Sequence, residues 1–539
     1  MATPNIETII RDHVALSVDC IDRLYLNGYV PILQTSGQLC WFLRDHLGNP
    51  IPSPALLSPM HDRFVREVAT FADAGKIPVI QFERGQRKDD VAAEQRARFT
   101  SAEGVVFIGV AQERASAFKA QQQTGPQGGV HFAFSRQSVF VNHYYFYLQD
   151  REWGPAFVKV GTYLPYPVRV CLNGHEWAKQ QLRQVGIDFS GLDNGFLTCD
   201  DPTRLQAICD GLGPADVQRF FDRWVAHLPW PLTAADRRAG YQHRLSIWQL
   251  EVSRTQVFDQ PVQGRHFFEA VIRDNLDLGR PDRVSLLFPT RLTHRTPPPA
   301  YGYRTRVITA GVAPSLHVEY KHSHVKQYFK EERALRTETT INDPTDFQTR
   351  KGLDTLGHLR DVGQQVNQQV LTVERLSHDC SLTQDALAQL QTPRRQGTQR
   401  IPALRFGDPR VVALLQALCR FAHLPAGFRN RDLRPHVAAL LGRDLTTYSR
   451  GAMTYDLRRL RLHGLIQRVA GAHRYTLTSF GLRVAFFSSK VHLRILRPAS
   501  AALIDPADDL PHPLRDALRQ LDQAIDQLCA AAQLHPEAA

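Results

Sequence analysis

The chain has 539 residues, 43% of them hydrophobic, so it carries enough apolar content for several cores and is too long for one. No apolar run reaches the ~18 residues of a membrane span, and the start, MATPNIETIIRDHVALSVD, lacks a basic segment followed by an apolar one. A cytoplasmic, nucleoid-associated chain with no membrane partner is therefore expected. Eight scattered cysteines without a CxxC pair argue against a disulfide scaffold and a zinc ribbon. The net charge of +12 is localised: residues 401–500 hold sixteen Arg and one Lys against four Asp and no Glu, a balance of +13. An Arg-rich coding bias would raise Arg everywhere and would not remove Glu locally, whereas a polyanion partner releases counterions to such a patch.

Residues 1–195 alternate strand-like runs (HVALSVDCIDRLYL, KIPVIQFE, GVVFIGVAQE) with helix-like ones (GQLCWFLRDHL, HDRFVREVATFADAG, KDDVAAEQRARF) and read as an α/β domain. VHFAFS, SVFVNHYYFYLQD and AFVKVGTYLPYPVRVCL follow as strands before a helix over 174–185. Asp19, Glu83 and Glu113 fall at or near strand ends, where open α/β sheets place ligands. Three carboxylates there are candidates for holding Mg2+ or Mn2+ for phosphodiester cleavage, with ordinary strand-end carboxylates as the other reading. GHEWAKQQL has His175 and Glu176 but not the second histidine of HExxH, so it predicts no zinc protease.

Residues 196–350 mix helices (PTRLQAICDGL, GPADVQRFFDRWVAHL, GRHFFEAVIRDNL) with strands (DRVSLLFPTRLT, YRTRVITAGV, SLHVEYKHSHVKQYF, ALRTETTIN), which predicts an α+β domain with an antiparallel meander. The chain has ten lysines, three of them between 321 and 330, interleaved with tyrosines. Lysine for phosphate and tyrosine for stacking is a single-strand grip, which nominates Lys326, Lys330 and Arg336 as nucleic-acid contacts. Glu319, His322, His324 and Glu338 are candidates for a metal-dependent catalytic site. ALRTE is similar to a strand of rolling-circle replication initiators, although Ser323 replaces the hydrophobic residue between their paired histidines. A solvated strand with Arg336 and Glu338 paired to neighbours is the competing expectation. Leu356, Leu359, Val362, Val366, Val373 and Leu376 then mark a long amphipathic helix over about 353–377, with a partly flexible linker to 403.

Residues 404–500 have the order of a winged helix-turn-helix: helices in DPRVVALLQALCRFAHL, in NRDLRPHVAALLG from Pro435, and in SRGAMTYDLRRLRLHGLI with Ser449 as N-cap, then two short strands in IQRVAGAHRYTLT. YDLRRLRLHGLIQRVAGAHRYTLTSFGLRVA resembles the end of MarR-like winged-helix proteins. The resemblance implies a recognition helix in the major groove and a wing along the backbone. Carried over by position, it places Arg450, Arg458, Arg459 and Arg461 on or near the third helix and Arg468, His473 and Arg474 on the wing. A winged helix used to bind protein is the alternative. In 505–539, Leu514, Leu518, Leu521, Ile525, Leu528 and Ala532 form a heptad seam that either docks on its own domain or makes a homodimer.

FVNHYYFYL, LNGHEWAKQQL, LDLGRPDRVSLLF and YFKEERALRTETTIND resemble stretches of a widespread bacterial family of about this length, a resemblance that carries no activity with it. No P-loop, no GxGxxG after a strand, no GxSxG and no kinase motif set occurs, which argues against nucleotide-driven motors and Rossmann oxidoreductases. The expectation is a DNA-binding protein, with RNA as the other nucleic acid. A metal-dependent nuclease or strand-transfer enzyme positioned by the winged helix is the alternative.

Overall fold

The computed structural model describes residues 6–49, 51–124, 130–277, 281–285, 303–310, 313–331, 333–378, 380, 382–396, 399–419 and 427–492, and isolated positions beyond them. The chain divides into two units, one of Met1–Phe268, Leu286–Tyr303 and Ile308–Gln368, the other of Glu269–Ser285, Arg304–Val307 and Gln369–Ala539. The helices are α1 (Ile6–His13), α2 (Ser36–Trp41), α3 (Leu57–Gly75), α4 (Lys88–Arg98), α5 (Gly174–Val185), α6 (Pro202–Gly211), α7 (Pro214–His227), α8 (Ala234–Arg238), α9 (Pro261–Asp277), α10 (Leu356–His378), α11 (Gln384–Gln391), α12 (Pro409–Cys419), α13 (Asn430–Leu440), α14 (Arg450–Leu462) and α15 (Ser479–Val491). The strands are β1 (Val14–Tyr29), β2 (Val79–Gln81), β3 (Gly104–Thr124), β4 (Val130–Asp150), β5 (Gly154–Gly161), β6 (Val168–Asn173), β7 (Phe189–Leu192), β8 (Gly195–Cys199), β9 (Arg244–Phe258), β10 (Pro281–Ser285), β11 (Tyr303–Ala310), β12 (Ala313–Tyr320), β13 (Ser323–Lys330), β14 (Ala334–Ile341), β15 (Arg394–Gln396), β16 (Gln399–Ile401), β17 (Ile466–Arg468) and β18 (Tyr475–Leu477). Among the described residues no helix is long and apolar enough to cross a membrane.

The first unit is built on a large mixed sheet, in the order β12-β13-β14-β9-β1-β6-β5-β4-β3-β2. Only β2 runs parallel to its neighbour, and the other pairs along this order are antiparallel. Alternation makes its two faces unlike. Leu24, Leu26, Val158, Val160, Val168, Val170, Leu172, Leu250 and Val252 are buried, and each such side chain contributes about 1.5–3 kcal/mol on leaving water. On this apolar side Phe64 of α3 meets Tyr144 edge-on, and Gly363 of α10 lies so close to Val252 that a Cβ would sit 2.7 Å from its side chain. Asn367 of α10 donates to the Val252 carbonyl at 3.0 Å and pairs with the Thr339 hydroxyl at 2.7 Å, satisfying polar groups inside the layer. The opposite side is polar and is met by α5, whose His175 reaches Ser253 at 3.0 Å.

In the second unit, α12, α13 and α14 are followed by the β17–β18 hairpin and α15, around a core that includes Leu414, Leu418, Leu433, Val437, Met453, Leu457, Leu460, Leu465, Leu482 and Phe486. Phe428 and Tyr475 exchange backbone hydrogen bonds at 2.8 Å, adding a third short edge to the hairpin. Ser449 caps α14 by accepting from Ala452 N at 3.2 Å.

The sheet runs through the expected boundary at 195/196, because β9, a strand absent from the predicted elements, pairs with β1 on one edge and β14 on the other. The run 313–330 is a hairpin and not one strand: Lys321 adopts a left-handed φ of 50°, and Tyr320 pairs with Ser323. The expected linker contains α11 and the β15–β16 hairpin. Helix α13 starts at Asn430 and carries Pro435 inside it. The C-terminal heptad helix and the strand predicted past Ser285 lie outside the described residues, apart from isolated helical positions.

Helix α5 opens with Asn173 accepting from His175 N and Glu176 N, and the Cβ of any larger residue at 174 would stand 2.2 Å from the Ile21 carbonyl oxygen. The obstacle is backbone, so Gly174→Ala is expected to cost about 1–3 kcal/mol. All six tryptophans lie between residues 41 and 248, so a urea melt followed by tryptophan fluorescence reads this unit. A loss of under about 0.5 kcal/mol would contradict the close packing.

Candidate functional site

A one-residue bulge in β1 organises the polar side of the sheet. Ile21 pairs with Val252 and Arg23 with Glu251, which leaves Asp22 as the extra residue. A bulge re-aims a side chain, and Asp22, only 3% exposed, is turned onto Arg336 of β14. Arg336 is fully buried. Its Nη2 lies 2.5 Å from Asp22 Oδ2 and 3.2 Å from both Ser253 Oγ and His175 Nε2, and its Nε donates to Glu338 Oε1 at 2.7 Å. Nη1 donates to the Asn194 carbonyl and lies 3.4 Å from Thr255 Oγ1. Gly195 permits that approach, since a Cβ there would sit 3.2 Å from Nη1. Asn194 also donates to Asp22, and Tyr328 donates to Glu338 at 2.8 Å.

The two carboxyls are driven apart. Burial raises Asp22, but Arg336, helped by His175, outweighs it and holds the group at about 2. Burial and then the Asp22 charge push Glu338 upward. Burial and Arg336 together press His175 down to about 3, so it is neutral. Glu338, whose side chain is 20% exposed against 4% for Asp22 and none for Arg336, is the carboxyl through which the cluster meets solvent. The arrangement is an ionic lock joining β1, β9, β14, β13, α5 and the β7–β8 turn.

The lock takes Arg336 out of the expected contacts of this region. Arg336 cannot touch a nucleic acid from its buried position. Lys326 lies 4.1 Å from the Tyr328 ring centroid and opposite Glu338, and Lys330 is largely buried near Asp193 and Glu331, its pKa lowered first by burial. The hairpin sets Glu319 opposite His324, but His322 sits in the turn and bonds Asp346 at 3.1 Å. The expected carboxylate trio does not converge. Asp19 is clasped by Arg254 at 2.5 and 2.8 Å, Glu83 is exposed, and Glu113 is bound by Lys88 and Lys159 and accepts from Tyr145 at 2.7 Å. Burial raises Glu113, and the two lysines bring it down to about 2. Among the described residues no three Asp, Glu, His or Cys side chains could hold a metal ion together.

The second unit arranges its cations differently. Arg450, Thr454, Arg458 and Arg461 recur at helical spacing and are exposed on α14, with Tyr455 47% exposed beside them. The one carboxylate of α14, Asp456, points inward and takes the Tyr448 hydroxyl at 2.6 Å and Arg410 Nε at 3.0 Å. Arg468 and His473 are exposed on the hairpin and approach each other at 3.3 Å. Arg459 and Arg474 depart from the expected contact set: both are 8% exposed, and Arg459 donates to the carbonyls of Pro402 and Ala403. The spacing of charges signalled the exposed stripe, whereas nothing in the sequence marked Asp22, His175 and Asn194 as partners of Arg336. No family model, no curated protein and no solved structure matches the chain.

Replacing Arg336 leaves Asp22 buried without its cation, so Arg336→Met is expected to cost about 3–5 kcal/mol at pH 7. Asp22 is lowered in the fold, so its contribution is complete above the unfolded carboxyl pKa of about 3.9 and is lost as pH falls toward about 2. The gap between wild type and variant should therefore narrow between about pH 4 and 2 in tryptophan-monitored urea melts. A gap independent of pH would show that the Asp22 pairing is not its source.

Proposed function

We propose that this chain is a nucleic-acid-binding protein that grips duplex DNA through a winged helix in its second unit, with α14 as the groove helix and the β17–β18 hairpin as the wing. The observation that carries this reading is the exposed stripe of Arg450, Arg458 and Arg461 on a helix whose only carboxylate is buried. An α-helix fits the B-DNA major groove, arginine is suited to paired acceptors on guanine, and the exposed Arg468 and His473 would follow the phosphates. The order of three helices and a hairpin with a short third edge supports the same assignment. Arg459 and Arg474 are left out of the contact set, as are Arg336, Lys326 and Lys330.

Salt titration of the full chain on labelled duplex DNA tests the reading. Each phosphate neutralised adds roughly 0.9 to the slope of log affinity against log salt. Arg450→Ala, Arg458→Ala and Arg461→Ala together are expected to weaken binding at least about tenfold and to reduce that slope by up to about 3. Loss of an arginine that reads a base edge lowers affinity for one sequence more than for others, by about 1–3 kcal/mol. Unchanged affinity and slope in the triple variant would overturn the proposal. Cleavage of the DNA in Mg2+ or Mn2+, abolished by EDTA, would instead favour the nuclease alternative.

A further inference from the structure

Strands β3 and β4 outrun the sheet. Each is 21 residues long, and they pair with each other from Gly104–Gln149 out to Thr124–Val130. Their outer neighbours stop early: β2 pairs only with Ile108, Gly109 and Val110, and β5 only with His143 through Asp150. From Arg114 and Phe140 outward the two strands have no further strand beside them, a ribbon of about 35 Å at ~3.4 Å per residue. Its base is seated, with Ala117, Phe118 and Phe134 buried, Phe118 N donating to the Leu164 carbonyl, and Arg136 donating to Gln34 at 3.0 Å.

The outer part of the ribbon has a distinct chemistry. No Asp or Glu occurs between Glu113 and Asp150, while Arg114, Lys119 and Arg136 do. Glu113 is itself neutralised by Lys88 and Lys159. Lys119, Gln121, Gln122 and Gln123 are all exposed, so both sides of the ribbon face solvent there. Lys119, Gln121 and Gln123 share one side, where Lys119 opposes Ser135 and Gln121 opposes Ala133, so small partners leave the long side chains proud. On the other side the cations stand on rings: Arg114 is 4.9 Å from Phe140, which is 60% exposed, and Arg136 is 5.3 Å from Phe118.

From this geometry we infer that the β3–β4 ribbon is a second, separate DNA contact, an arm that lies in the major groove of duplex DNA. A two-stranded ribbon is one of the two elements the B-form major groove admits, and glutamine amides can pair with adenine there while lysine and arginine meet guanine or phosphate. The A-form groove of duplex RNA is too deep and narrow for side chains to read, which selects DNA. The inference extends the reading of α14 as a DNA contact but rests on different residues, so the two fail separately.

The test is fluorescence anisotropy of the full chain on a labelled 30-base-pair duplex at about 0.1 M salt, with duplex RNA of the same sequence as competitor. Lys119→Glu, Gln121→Glu and Gln123→Glu together are expected to weaken binding at least about tenfold, and Arg114→Ala with Lys119→Ala, which adds no negative charge, by about threefold or more. Both sets change exposed positions, and tryptophan-monitored melts like those of the wild type show that the unit is intact. If both ribbon variants bind DNA like the wild type, the inference is overturned, even where the α14 triple variant has lost its binding. If the ribbon variants lose binding while the α14 triple variant keeps it, the ribbon stands and the α14 reading falls. Duplex RNA that competes as well as DNA would overturn the major-groove assignment.

Discussion

The guanidinium of Arg336 is the point on which the first unit closes. It carries five donors, and they are taken up by side chains of Asp22, Glu338, Ser253, Thr255 and His175 and by the Asn194 carbonyl, on three strands, one helix and one turn. Bringing a cation to zero exposure costs several kcal/mol, recovered only when geometry and hydrogen bonding are complete. That requirement fixes the surroundings. Asp22 must be turned inward by the bulge, Gly195 leaves Asn194 room to approach, and α5 must start against Ile21 so that His175 faces Ser253. The lock ties register in β14, β9 and β1 to the position of α5, and a slip of one residue would take Arg336 to the apolar face.

The same accounting separates the sheet from the surfaces proposed to meet DNA. Within the sheet, cations lie against carboxylates: Arg254 on Asp19, and Lys88 and Lys159 on Glu113. Charge spent in this way is not offered to a phosphate. On α14 and on the outer ribbon, the carboxylates are turned inward or absent from the sequence, and the cations and amides stand in solvent. A strongly basic composition alone would not distinguish these two uses, and with Arg336, Arg459 and Arg474 buried an arginine count overstates the cations that face solvent.

Much of the local structure was legible, and the misses have identifiable causes. Helices with clear caps and periodicity, such as α5, α10 and α14, stand where apolar spacing put them. The alternation in GVVFIGVAQE marked the inner half of β3, whose outer half carries Gln, Ser and Ala and gave no strand signal, while VHFAFS and SVFVNHYYFYLQD read as two strands where β4 runs unbroken. β9, with Glu251, Arg254 and Gln256 among its residues, was hidden because a central strand with one polar face lacks a continuous apolar run. The β12–β13 turn has Lys and His where Asn-Gly would have announced it. Of the candidate site, ALRTE was visible as an unusual strand, yet its meaning depended on Asp22, some three hundred residues earlier in the chain, which only the fold brings within reach.

The central claim, that exposed cations on α14 and the ribbon carry DNA binding while the sheet's charges are structural, is tested most directly by backbone hydrogen exchange. The measurement compares the full chain with and without saturating duplex DNA. The account predicts added protection in peptides covering residues 450–461 and in those covering 114–124 and 130–140, with exchange around Asp22, Ser253 and Arg336 unchanged. Protection confined to β13 and β14 around Lys326 and Glu338, with α14 and the ribbon unaffected, would contradict it.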